Sequence, residues 1–174
     1  MRADAFYRLG ISYRALSRFE PAANALRKSV SIEPRNADAW FLLGQSLQSL
    51  GKPVDAIESW KKTIELQPNH SQALYSLARA VANSNPEQAK QYRTRFEATR
   101  EQNTAVERAQ TLSNFAIAAA KEGKWDDAIE QLREAIKVCG DCSSSGVLHK
   151  NLGLIQCQAG RINEGEIELK IALA

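Results

Sequence analysis

An all-α solenoid is the fold this sequence predicts, and three observations predict it. A phrase returns after 34 residues: Phe6, Leu9, Gly10, Tyr13, Ala22, Leu26 and Pro34 align with Trp40, Leu43, Gly44, Leu47, Ala56, Trp60 and Pro68. A fixed period of this size marks stacked supersecondary units, each burying its apolar face only against its neighbours. The apolar positions are spaced by three, four and seven, which puts them on one stripe of a helix. Gly51, Gly123 and Gly160 stand where one helix should give way to the next, and Pro34 and Pro68 stand where a second helix should end.

Taken in order, repeat one spans residues 3–36 and repeat two 37–70, each a pair of helices. Repeat three, 71–103, is irregular: after Leu74, Leu77, Ala78 and Val81 it loses the turn glycine and reads Asn83-Ser84-Asn85-Pro86-Glu87. Asn85 suits a helix cap and Pro86 a first helical residue. From Glu87 to Glu122 no Gly or Pro occurs, which predicts a long helix bridging repeats three and four. Its polar middle and the capping box Thr104-Ala105-Val106-Glu107 predict a bend or break near Asn103. Repeat four, 109–142, carries Leu112, Phe115, Ala116, Trp125, Ala128, Leu132 and Ala135. Repeat five, 146–174, carries Leu152, Gly153, Ile162, Gly165, Leu169 and Ala172 and stops before its second helix would finish. Gly10, Gly44, Ala78, Ala116 and Gly153 are small, as are Ala22, Ala56, Ala128 and Gly165 on the partner helices; large groups between them complete a dense interior.

These residues follow the register W-x2-L-G-x2-Y…A-x3-F…P, and the chain resembles the tetratricopeptide repeat (TPR) family over nearly its whole length. The resemblance implies a right-handed α-solenoid of helix-turn-helix repeats, forming a single array over 1–174. It also suggests an excised piece of a larger bacterial-type protein, since no polar capping helix closes the array. First helices of successive repeats line the concave face in this family, and that face receives an extended peptide or a partner helix. Carried over by position, the groove residues are Tyr7, Ile11 and Arg14 from repeat one, Phe41, Gln45 and Gln48 from repeat two, Tyr75 and Arg79 from repeat three, with Asn114 and Asn151 from repeats four and five. Tyr7, Phe41 and Tyr75 fall one residue outside the packing register, which predicts an exposed aromatic stripe flanked by Arg and Gln, the usual make-up of interface anchors. The Lys and Asn clamp of chaperone-binding members is replaced here by Tyr7 and Ile11, so that activity is not expected. Asn114 and Asn151 match two rungs of the asparagine ladder by which other members hold a peptide backbone, whereas Arg8, Leu42 and Ser76 do not continue it.

Chemistry is sparse elsewhere. Cys139-Gly140-Asp141-Cys142 is one pair without the second pair a metal site needs, and His149 is a single further ligand. It reads as a turn with two ordinary thiols or as a disulfide between Cys139 and Cys142; no metal is expected. His70 and His149 lack a Ser or Cys and Asp arrangement for a triad, and no phosphate loop or dinucleotide fingerprint occurs, so neither catalysis nor a cofactor is expected. A net charge of +3 with interspersed signs argues against nucleic acid, and no run of 18 apolar residues exists to span a membrane. The sequence therefore predicts a non-catalytic scaffold that binds a protein or peptide. The alternatives are self-assembly into a homo-oligomer through apolar solenoid ends, such as Ile162, Ile167, Leu169, Ile171 and Leu173, or a positioning module of a larger enzyme.

Overall fold

In a computed structural model describing residues 2–173, the chain forms nine α-helices and, among the described residues, no strand. They are α1 Ala3–Ala15, α2 Phe19–Ile32, α3 Ala37–Ser49, α4 Pro53–Leu66, α5 Ser71–Ala80, α6 Pro86–Lys121, α7 Trp125–Cys139, α8 Ser145–Gln158 and α9 Ile162–Ala172. Packing divides the chain into two compact lobes, Met1–Thr99 and Arg100–Ala174. Leu26, Leu47, Trp60, Leu74, Leu77 and Tyr92 lead the core of the N-terminal lobe. Ala116, Ile129, Leu132, Leu148, Leu152 and Ile155 lead that of the C-terminal lobe.

Within the α1–α2, α3–α4 and α8–α9 pairs the geometry rests on a missing side chain. A Cβ built on Gly44 would lie 2.6 Å from Trp60 Cδ1, and one on Gly10 would lie 2.6 Å from Leu26 Cγ. The large residue of the second helix thus rests on bare backbone of the first, so the axes come closer than two side-chain layers allow. In the C-terminal lobe both partners are small: a Cβ on Gly153 would meet the Gly165 carbonyl oxygen at 2.8 Å.

The turns inside the pairs share one device. Lys52 donates its N–H to Leu47 O at 2.9 Å while Gly51 takes φ 70°, a left-handed helix end. Lys124 on Ala119 and Arg161 on Gln156 repeat it, with Gly123 and Gly160 in the special position. In the first pair Arg18 donates to Tyr13 O at 2.8 Å, but the left-handed residue is Ser17, at φ 57°. A non-glycine residue is strained there by about 1–2 kcal/mol.

Junctions between pairs are fixed by side chains. Asn36 Oδ1 accepts from Ala39 N at 2.9 Å, and the Trp40 indole donates to Pro34 O at 2.9 Å. His70 Nδ1 accepts from Ala73 N at 3.2 Å, capping α5. Accepting there leaves the ring proton on Nε2, which faces Asp38 at 3.8 Å. Asn85 Oδ1 accepts from Gln88 N at 3.0 Å, the cap its sequence context predicts. In the C-terminal lobe Glu164 accepts from Arg133 and Gln156, Arg161 pairs with Asp126, and His149 meets Glu168 at 2.6 Å.

Two expectations about α6 meet different outcomes. The long helix exists, running 36 residues from Pro86 to Lys121. A break near Asn103 does not occur: Thr104 Oγ1 donates to Arg100 O at 2.9 Å instead of capping a new helix. Thr99 and Thr111 also bond back four residues, so each hydroxyl is satisfied while the helix continues. Leu9 and Phe115, read as packing residues, are 42% and 60% exposed. Their counterpart Leu43 is covered on α3, which packs against both α2 and α4, whereas α1 packs chiefly on α2.

After α7 the chain turns at Gly140, and the buried Cys139 and Cys142 are bonded through sulfur with their Cα atoms 5.3 Å apart. Cys157 is a free, half-buried thiol against Gly165. Alkylation of the folded, non-reduced protein is therefore expected to modify Cys157 alone among the three cysteines, and reduction should expose the other two. Three modified thiols without reductant would contradict the bond. Urea unfolding checks the backbone: Ser17→Gly should stabilise by about 0.5–1 kcal/mol. Gly44→Ala should destabilise by about 1–3 kcal/mol through the clash with Trp60.

Candidate binding groove

The first helices of the three N-terminal pairs, α1, α3 and α5, bring five of the predicted groove residues around one cleft. A cavity of about 420 Å³ is lined by Arg14 from α1, Gln45, Gln48 and Ser49 from α3, Tyr75, Ser76, Arg79 and Ala80 from α5, and Trp60 from α4. A second cavity of about 480 Å³ shares Tyr75 and Arg79 and adds Ala78, Ala82, Asn83, Arg93, Phe96 and Glu97. Tyr75 is the pivot: it is 48% exposed, its ring lies 5.5 Å from that of Phe96, and the Arg79 guanidinium sits 5.7 Å from its centroid.

The remaining predicted residues fall outside this cleft. Tyr7 is half-buried against the core, and burial, helped by the negative charge of Asp38, raises its phenol above the ordinary value. Ile11 is 41% exposed on α1 and lines neither cavity. Phe41 corrects the expected exposed stripe. It is only 5% exposed, because His70, arriving as the cap of α5, lays its ring 4.6 Å from the Phe41 ring. The aromatic stripe is thus reduced to Tyr75 with a partly buried Tyr7. In the C-terminal lobe, Asn114 Oδ1 accepts from Gln110 at 3.1 Å and Asn151 Nδ2 donates to Ser113 Oγ at 3.3 Å. Asn151 also lines a smaller cavity of about 290 Å³ with Ile117, Ala120, Leu154 and Gln158.

Electrostatically the first cleft is one-sided. No carboxylate lines it, and among the described residues neither Arg14 nor Arg79 joins an ion pair. Arg14 Nε and Trp60 Nε1 are both shut off from solvent with no acceptor in reach. Burial lowers the Arg14 guanidinium from its ordinary value, yet arginine remains charged at neutral pH. Such a site offers donors and positive charge and lacks a carboxylate to balance them. Phe96 and Arg93 were not legible as groove residues, because they lie on α6 where the repeat register is lost; Trp60 was read only as packing. Among the described residues no cluster of His, Cys, Asp and Glu is placed to hold a metal, and no helix is long and apolar enough to cross a membrane.

Comparison with known proteins agrees with the helical pairs. The family model described as Cytochrome c-type biogenesis protein H TPR domain matches residues 15–144. A search of curated proteins finds no match. Among solved structures, the MamA protein is 26% identical, with 98% of this chain and 90% of that one covered and a TM-score of 0.52. YrrB, described as a TPR protein with an unusual peptide-binding site, is 16% identical, with 97% and 83% covered and a TM-score of 0.52. Pseudomonas aeruginosa pilF is 18% identical, with 95% and 72% covered and a TM-score of 0.50. The last two likenesses bear on fold alone. Repeats of this kind act as protein-interaction scaffolds. With α1–α2, α3–α4 and α8–α9 packed as helix pairs and the family model spanning most of its length, the chain belongs to the TPR domain family of cytochrome c-type biogenesis protein H.

Proposed function

We propose that the chain is a non-catalytic interaction domain that serves cytochrome c-type biogenesis by holding a peptide or partner helix in the groove of its N-terminal lobe. One observation carries the reading: Arg14, Gln45, Gln48, Tyr75 and Arg79, distant in sequence, converge from three first helices on one open cleft. An exposed aromatic among Arg and Gln supplies apolar contact together with hydrogen bonds, the composition that concentrates binding energy. In the C-terminal lobe the same reading assigns Asn114, and Asn151 which lines the smaller cavity, to backbone contacts. Selection of peptides from a displayed random library tests the groove. Tyr75→Ala should weaken selected peptides by roughly tenfold or more with helicity unchanged, while Phe41→Ala should lower stability instead. Equal binding by Tyr75→Ala would refute the groove.

A second reading is favoured by α9. Ile167 and Ile171, four residues apart on one helical face, are 59% and 47% exposed, and Leu173 is 88% exposed. Uncovered apolar surface of this kind supports self-association. Light scattering over a concentration range should then report growth in mass that Ile167→Glu suppresses. A strict monomer at the highest concentration removes this reading.

A further inference from the structure

The cleft that Arg14 and Arg79 line carries a cost that the folded chain alone does not repay. Arg14 is half-buried, its Nε has no acceptor, and the adjacent Trp60 indole N–H has none either. A guanidinium partly withdrawn from water without a partner is unfavourable, and an anion at the part of Arg14 that lines the cleft offsets that cost. The guanidinium plane matches a carboxylate with two parallel hydrogen bonds, which an amide or hydroxyl cannot reproduce. Next to this cationic cleft lies a surface of different character, where Tyr75 and Phe96 present their rings together with Ala78 and Ala82. Glu97 lines that second cavity one helical turn from Arg93, so the two charges offset each other and the apolar groups set its character. The charge pattern therefore has a direction: negative group to the Arg14 side, apolar group to the Phe96 side, with Tyr75 and Arg79 common to both.

Resting on the groove reading above, we propose that the partner segment is recognised by a side-chain carboxylate adjacent to a bulky apolar residue. The carboxylate sits between Arg14 and Arg79, and the apolar group rests on the Tyr75–Phe96 shelf. Arg14 is a specificity-determining residue in this scheme, since it discriminates acid from amide, whereas Phe96 discriminates bulky from small.

Four sets of capped decapeptides with randomised flanks test it on the full chain, their central pairs being Glu-Leu, Gln-Leu, Glu-Ser and Gln-Ser. Fluorescence anisotropy should rank Glu-Leu tightest, with Gln-Leu weaker by roughly tenfold to a hundredfold, the range of a lost charged hydrogen bond. Arg14→Gln should abolish the Glu over Gln preference and keep that for Leu over Ser; Phe96→Ala should do the reverse. Arg79→Gln, on an exposed position, reads the same preference should Arg14→Gln fail to fold. Sets that bind equally well but all weaken in Tyr75→Ala would overturn the carboxylate assignment and leave the groove standing. Sets that do not bind, or that ignore Tyr75→Ala, would sink the groove and this proposal together.

Discussion

The absence of a side chain at Gly44 is the constraint on which the N-terminal lobe depends. Because nothing projects there, Trp60 brings the pyrrole part of its indole against Gly44 and is only 3% exposed. That contact fixes how closely α3 and α4 approach. The close pair in turn sets where α5 can settle, and α5 carries Tyr75 and Arg79 to the cleft. Burial of a large apolar side chain supplies about 1.5–3 kcal/mol, one contribution among many against the entropy of ordering the lobe. A groove formed this way is a property of helix spacing before it is a property of any surface residue.

A scaffold of packed pairs can hold a charge in a place where water would otherwise pull it out. Arg14 lines the cleft with residues of α3 and α5, and its Nε is shut off from solvent. The stability of the remaining core carries that unfavourable position. Binding sites are commonly where such local losses are tolerated, because the ligand later supplies the missing partner.

Much of this was legible from residues alone. The period and the small residues announced the helix pairs, and the caps at Asn85 and Pro86 marked where α6 begins. What escaped notice has physical causes. Phe41 shares a register position with Tyr75, but whether that position is open depends on what the next junction delivers. A histidine ring 4.6 Å away helps bury Phe41, while Tyr75, with Phe96 at 5.5 Å, stays 48% exposed. Thr104 fits a capping box and equally fits a helix interior, the choice being made by an available carbonyl on Arg100. Ser17 adopts a glycine conformation without being glycine, so no punctuation marks the first turn. Phe96 reaches the groove from a segment with no repeat register to align it.

Trp60 belongs to two structures at once, the lobe's interior and the floor of the cleft. Change at that position cannot alter what is bound without also altering whether the lobe stands, so the floor is locked to the fold. Gln48 and Arg79, exposed on the rim, carry no such obligation. Divergence among relatives built on this plan has its open route along the rim: new partners can be acquired by exchanging rim residues over an unchanging tryptophan base.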